Sequence, residues 1–289
     1  MRFCRFLPLS TAGGHSAAPS YGLLDQDAVR EIAGLPWGKW VEGQAIWALR
    51  DVRLLAPCEP SKIVCVGRNY AAHAAELGNE MPKEPLIFLK PPSSLIGPEE
   101  PIFLPKYSNR VEHEGELGLV IGKKCAHLAD DEDPLAFVLG YTCVNDVTAR
   151  DLQKAEVQFT RAKGFDTFCP VGPHIETQLD PRDVLVECRV NGEPRQSGIT
   201  SLMAYPVAFL VRWISRMMTL FPGDLIATGT PAGVGPLAAG DTVEVSVAGV
   251  GVLRNPVHSP ELTSHSSAGS GKIGFRGGTS AVPTFGSKK

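Results

Sequence analysis

Glu112, Glu114 and Glu116 alternate along Glu112-His113-Glu114-Gly115-Glu116-Leu117-Gly118-Leu119, a run that leads into an apolar strand. Strand side chains repeat every two residues, so the three carboxylates fall on one face. Like charges crowded on one strand face repel. A divalent cation turns that repulsion into binding, and hard ions such as Mg2+ and Ca2+ take oxygen ligands. The competing reading is a charged strand edge that resists aggregation. Asp146 follows the apolar run Phe137–Val144 and adds a further acid where scaffolds often present site residues. Its competing role is to cap a short helix over Val147–Gln153.

His73 and Glu76 stand three apart in the Ala-rich stretch Tyr70–Leu77, which has the composition of a helix. That spacing puts them within reach on one face. A carboxylate beside a histidine fixes its tautomer and raises its basicity, the arrangement of a general base. A surface histidine with an incidental acidic neighbour has the same spacing. Gly67-Arg68-Asn69 before this helix reads as a tight turn. Lys163 could neutralise a carboxylate substrate or simply be solvated. Thr228-Gly229-Thr230-Pro231-Ala232-Gly233-Val234-Gly235 is a small-residue loop after a strand. It lacks the Gly-Lys-Ser/Thr ending of a P-loop and the spacing of a dinucleotide fingerprint. Its amides and hydroxyls could hold an anion, or it could be a plain turn.

These residues need a scaffold. Short apolar runs broken by Gly and Pro make residues 1–57 a small β-rich N-terminal domain, with one short helix over Asp25–Ile32. Two prolines punctuate Ala56–Ser61 as a linker. From Lys62 the chain supplies strand candidates at Lys62–Val66, Leu86–Leu89, Ile102–Leu104, Leu117–Ile121, Phe137–Val144, Leu225–Ala227, Thr242–Val247 and Val250–Leu253. Val184–Val190 and Glu193–Gln196 flank Asn191-Gly192, a favoured hairpin turn. Pro206–Met218 has helical apolar spacing with Pro at its first position. Strands and helices do not alternate regularly, which disfavours a doubly wound parallel sheet. The expected class is α+β: a mixed, largely antiparallel β-roll with a few helices over residues 60–257. The Ser/Gly-rich tail, 258–289, is too poor in apolar residues to offset its ordering entropy and is expected to be disordered.

At 289 residues and 43% hydrophobic, the chain can bury a substantial core. A net charge of -3 and scattered Lys and Arg give no electrostatic case for nucleic acid. No apolar run approaches the roughly 20 residues of a membrane span. None of the seven cysteines forms a C-x-x-C pair, so they read as small buried hydrophobes of a reducing compartment. The cytoplasm or an organelle matrix is the expected location, and a zinc site is not expected.

The order of the signals is more informative than any one of them. Lys62-Ile63-Val64-Cys65-Val66-Gly67-Arg68-Asn69-Tyr70, then His73 and Glu76, Phe88-Leu89-Lys90-Pro91, Glu114 and Glu116, Asp146 through Asp151, and Gly229 through Gly235 together resemble the fumarylacetoacetate hydrolase family. Within it, the series is most similar to acylpyruvate hydrolase and oxaloacetate decarboxylase members. The resemblance implies Mg2+, or Mn2+ or Ca2+, held by Glu114, Glu116 and Asp146. It implies His73, Glu76 and Lys163 as catalytic residues, Arg68, Gln153 and Thr230 on the substrate side, and a homodimer. The implied activity is hydrolysis of a C–C bond in a small β-diketo acid of the acylpyruvate or fumarylpyruvate type. Decarboxylation of oxaloacetate and isomerisation of 2-hydroxyhepta-2,4-diene-1,7-dioate use the same site chemistry. A catalytically silent binding protein is the alternative of another class. Relatives usually carry a larger residue at Gly115, which should point away from the metal by strand alternation.

Overall fold

The strand Gly115–Ile121 is buried along its whole length because both of its faces are covered. Leu117, Leu119 and Ile121 enter one hydrophobic cluster with Val186, Cys188, Val243 and Val245. Val120, on the opposite face, packs with Val144, Cys65 and Leu225. Double burial explains the nearly continuous apolar run in its sequence. The structure is a computed structural model and describes residues 1–9 and 18–259. The expected disorder of the tail lies outside the described residues, except that His258 ends the strand Gly251–His258.

One large mixed sheet carries the site. From Gly115–Ile121 it runs one way through Leu225–Ala227 and Ile63–Gly67 to Leu86–Lys90. The other way it runs through Val138–Asn145 and Cys169–Glu176 to the N-terminal strands. A second sheet, Glu193–Ile199, Leu185–Val190, Thr242–Val247, Gly251–His258 and Ile102–Phe103, packs on it. A short third sheet joins Thr148–Ala149, Val111–His113 and Gly235–Pro236. The Asn191-Gly192 hairpin forms as expected, with Val190 opposite Glu193.

Gly115 faces the second sheet at a close approach. A Cβ there would sit 3.2 Å from Cys188 Cβ and 3.3 Å from Val245 Cγ1. The absent side chain is therefore a packing requirement, on the face opposite Glu116.

Two local expectations are corrected. Asp25–Ile32 is not helical: Ser20–Asp25 and Ala28–Gly34 form an antiparallel hairpin. Val29 and Ile32 are both buried although they stand three apart. Val29 packs with Cys4, Phe6 and Val52, and Ile32 with Phe3 and Tyr21, so both faces of this strand are covered and two buried positions three apart mimic helical spacing. Asp146 does not cap a helix over Val147–Gln153. The chain turns at Asp146, with the Val147 N–H on Asn145 O, Thr148–Ala149 forms a short strand, and the helix is Arg150–Ala155 with Ala149 at its N-cap.

The N-terminal strands are continuous with the large sheet. Arg2–Pro8 pairs with Cys169–Glu176, and Phe3, Tyr21 and Ile32 share a cluster with Ile175 and Val171. All seven cysteines are free and buried. Among the described residues, no helix is long and apolar enough to cross a membrane.

Candidate metal centre and active site

The chain changes sheets at Glu114. Val111–His113 belongs to the short sheet and Gly115–Ile121 to the large one. The unbroken strand expected across Glu112–Glu116 is interrupted because side-chain oxygens take main-chain donors there. Asn145 Oδ1 accepts the Glu114 N–H at 3.0 Å, and Gln196 Oε1 accepts the Gly115 N–H at 2.9 Å. Glu112 is committed to cations, with Arg150 Nε at 2.6 Å and Arg110 Nε at 2.5 Å.

Glu114, Glu116 and Asp146 meet. Each offers one oxygen, and these oxygens lie within 4.8 Å of one another. All three residues are buried. Strand alternation turns Glu116 inward, where its Oε2 accepts the Gly229 N–H at 2.8 Å. The Asp146 N–H donates to Glu114 O at 2.8 Å, fixing the spacing of the two segments.

Lysines answer part of this charge. Lys163 Nζ lies 2.6 Å from both Glu114 Oε2 and Asp146 Oδ2. Lys90 Nζ lies 2.6 Å from Asp146 Oδ1 and 3.1 Å from Val147 O. Arg150 Nη2 also binds Glu114 Oε1. Burial opposes ionisation of Glu114, yet the charges of Lys163 and Arg150 outweigh it and hold this carboxyl well below the usual range. Burial would depress Lys163 too, but Asp146 and Glu114 reverse that and push it up. Glu116 differs: burial, then Asp146 and Glu114, push its carboxyl well up. Glu116 makes no ion pair among the described residues, so it is the carboxylate of the cluster that the protein cations leave unpaired. A buried set of three converging carboxylate oxygens, one of them without a cation partner, fits a hard divalent cation.

His73 Nδ1 stands 3.4 Å from Glu76 Oε2, the pair joined across one turn of the helix Ala71–Glu76. Burial lowers the His73 pKa, and Arg150 and Lys163 add to the effect, against Glu114 and Glu76. Glu76 is itself anchored, accepting the Gly233 N–H at 3.0 and 3.2 Å. Gly233 has φ 102, and a Cβ there would lie 2.1 Å from Arg195 O, so this donor position admits only glycine.

A cavity of about 460 Å³ is lined by Glu114, Glu116, His73 and Lys163 together with Arg68, Gln153 and Thr230. Asp146 and Glu76 do not line it; they sit behind the residues that do. Gln153 accepts from Arg150. Arg68 holds φ 56, a left-handed conformation uncommon for a residue with a side chain, in the turn before the helix. Leu77, Leu86, Phe88 and Phe159 give the cavity an apolar wall.

The sequence reading assigned no role to Lys90 or Arg150. Lys90 carried a faint signal, a lysine closing the apolar run Leu86–Leu89 ahead of two prolines. Arg150 carried none, since on a helix it looks like a solvated charge.

A buried carboxylate triad beside the cavity of a mixed β-roll points to a class of enzyme scaffold, and sequence comparison supplies its family. A family model described as "Fumarylacetoacetate (FAA) hydrolase C-terminal" matches residues 62–258, and one described as "Rv2993c-like, N-terminal" matches residues 1–57. The chain belongs to the fumarylacetoacetate hydrolase family. It is 52% identical over 231 residues to Protein Rv2993c of Mycobacterium tuberculosis, covering 79% of this chain and 87% of that protein. It is 44% identical over 220 residues to the human mitochondrial oxaloacetate tautomerase FAHD2A, covering 72% of this chain and 70% of that protein. The crystal structure of a 5-carboxymethyl-2-hydroxymuconate delta-isomerase from Mycobacterium smegmatis superposes with a TM-score of 0.81 at 47% identity, covering 90% of this chain and 100% of that one.

Proposed function

We propose that this protein is a divalent-metal-dependent enzyme that shifts a proton between carbon and oxygen in a small 2-oxo dicarboxylate, with Mg2+ as its ion. The observation that carries the reading is the cavity's composition. Arg68 and Lys154 line it, and neither forms an ion pair among the described residues. They supply partners for a second substrate carboxylate, while Lys163 and the triad stand at the same cavity. The apolar wall suits a short carbon chain.

Glu114, Glu116 and Asp146 would hold the ion, which when bound supplies Lewis-acid polarisation to the oxygens of a 2-oxo acid. Lys163 adds fixed positive charge beside the developing oxyanion. With its Nδ1–H donated to Glu76, His73 keeps the Nε2 lone pair for a substrate proton. Its lowered pKa keeps that lone pair free near neutral pH. His73 takes the proton from the carbon next to the 2-oxo group, and that C–H pair becomes the C=C bond. Return of the proton to oxygen completes the enol.

The names of the human relative and of the Mycobacterium smegmatis protein, a tautomerase and an isomerase, support proton transfer as the first choice. C–C hydrolysis of an acylpyruvate or fumarylpyruvate is the second reading, favoured by the same dyad, since a histidine backed by a carboxylate can equally deprotonate water. Purified protein with Mg2+ should be assayed against oxaloacetate enol, fumarylpyruvate and acylpyruvates, with CO2 release followed in parallel. Faster ketonisation of the enol, with no cleavage, supports the proposal. Cleavage without isomerisation would replace it with the hydrolase reading.

A further inference from the structure

Gln196 belongs to the second sheet, not to the cavity, yet its buried amide is saturated by groups that build the cavity. Its Oε1 accepts from the Gly115 N–H at 2.9 Å and from the His113 ring at 3.0 Å. Its Nε2 donates to Thr230 Oγ1 at 2.6 Å and to Pro231 O at 2.7 Å. The Gly115 N–H can only donate and Pro231 O can only accept, so the orientation of the amide is fixed. Gly115 lies between Glu114 and Glu116, and Thr230 and Pro231 begin the loop that reaches Gly233, the anchor of Glu76. One side chain thus ties the carboxylate segment to the loop behind the dyad.

The bonding also decides what Thr230 can offer. Its hydroxyl donates to Gly115 O at 2.8 Å and accepts from Gln196. A hydroxyl has one proton, and this one is committed, so the side chain has nothing to donate to a carboxylate. The Thr230 N–H has no partner among the described residues. We infer that Gln196 is a positioning residue: it clamps the Thr230 hydroxyl to Gly115 O so that the main-chain N–H of Thr230, not its hydroxyl, meets the substrate carboxylate. This rests on the functional reading above, in which an oxo acid enters the cavity beside Glu114 and Glu116.

Titration calorimetry with Mn2+ alone, then with oxalate at saturating Mn2+, tests it in the full chain. Gln196→Met, Thr230→Ala and the double variant should each keep Mn2+ affinity within about twofold. Each should weaken oxalate roughly tenfold, the double no more than either single, because one clamp is broken in all three. Thr230→Ser keeps the hydroxyl and should bind as wild type does. Unchanged oxalate affinity in Gln196→Met overturns the proposal. So does a roughly hundredfold loss in the double variant, which would make the two side chains independent contacts. Loss of Mn2+ affinity along with oxalate would reduce Gln196 to a structural support and also overturn it. Should Gln196→Met not fold, Gln196→Glu keeps the acceptor and loses the donor, and the same tenfold loss is expected; undiminished binding overturns the proposal. Wild-type protein that binds Mn2+ but no oxalate would instead sink the functional reading, and this inference with it.

Discussion

Lys163 sets its ammonium 2.6 Å from Asp146 Oδ2, and the same nitrogen stands 2.6 Å from Glu114 Oε2. It thus lies between two of the three carboxylates that a divalent ion would use. A bound ion would compete with the lysine for those oxygens. Lys163→Met keeps much of the length and removes the charge. Mn2+ binding is expected to tighten roughly tenfold, because a repelling cation is gone. Oxalate binding in the presence of Mn2+ should weaken at the same time. Calorimetry with each ligand separates the effects; unchanged Mn2+ affinity would show that Lys163 and the ion do not compete.

His73→Ala should lower turnover by roughly 10²–10⁴-fold, the usual worth of a general base, while Mn2+ affinity barely changes. Side-by-side calorimetry and steady-state kinetics check the division of roles. Metal loss in this variant would move His73 from the chemistry to the scaffold.

The groups around His73 also set the acid limb of the activity profile. Burial, Arg150 and Lys163 lower its pKa from 6.5, with Glu114 and Glu76 opposing. A base works unprotonated, so a lowered pKa extends activity to more acidic pH. The midpoint of the acid limb in kcat/KM is expected below 6.5. A midpoint above that value would contradict the charge balance described here.

The carboxylate cluster and the His73–Glu76 pair were legible in part through local rules, although strand alternation set Glu112 beside Glu114 and Glu116, where the fold brings Asp146. Strand alternation turns Glu116 and Gly115 to opposite faces, and helical spacing joins His73 to Glu76 across one turn. The Asn191-Gly192 hairpin was equally local. Lys90, Arg150 and Gln196 were not legible. Lys90 and Asp146 are 56 positions apart, and Gln196 and Gly115 are 81 apart, so only the folded sheets bring them together. The helix expected over Asp25–Ile32 failed for a different reason: the strand is covered on both faces, so Val29 and Ile32 are buried in different clusters at a spacing that a helix would also give.

Gly115→Ala tests the close approach of the two larger sheets. The new Cβ would sit 3.2 Å from Cys188 Cβ and 3.3 and 3.4 Å from the Val245 methyls. Overpacking of this kind typically costs about 1–3 kcal/mol. Denaturant unfolding at pH 7 measures it. Val245→Ala, which removes both crowding methyls, should recover part of the loss when combined with it, whereas strict additivity would mean that the strain lies elsewhere.

His174 gives stability its own pH dependence. Burial pushes it down to about 4, helped by Arg2 and the N-terminal amine and opposed by Glu176. In the unfolded chain it titrates near its ordinary 6.5. Between these values the unfolded state holds a proton that the folded state refuses, so stability falls as pH drops through the window. The loss is about 3 kcal/mol across it. Unfolding free energies at pH 7 and pH 4.5 should show most of this difference in wild type and much less in His174→Leu.

The pairing of Arg2 with Glu176 and Phe3 with Ile175 has an architectural meaning. Cys169–Glu176 has Arg2–Pro8 on one side and Val138–Asn145, the strand that ends just before Asp146, on the other. The leading segment is therefore a buttress, not a passenger. A chain beginning after it would leave Ile175 and Glu176 unpaired on one side, one strand away from the strand that ends just before Asp146. Such a truncation invites stacking of one copy on another and loosens the wall against which Asp146 is braced.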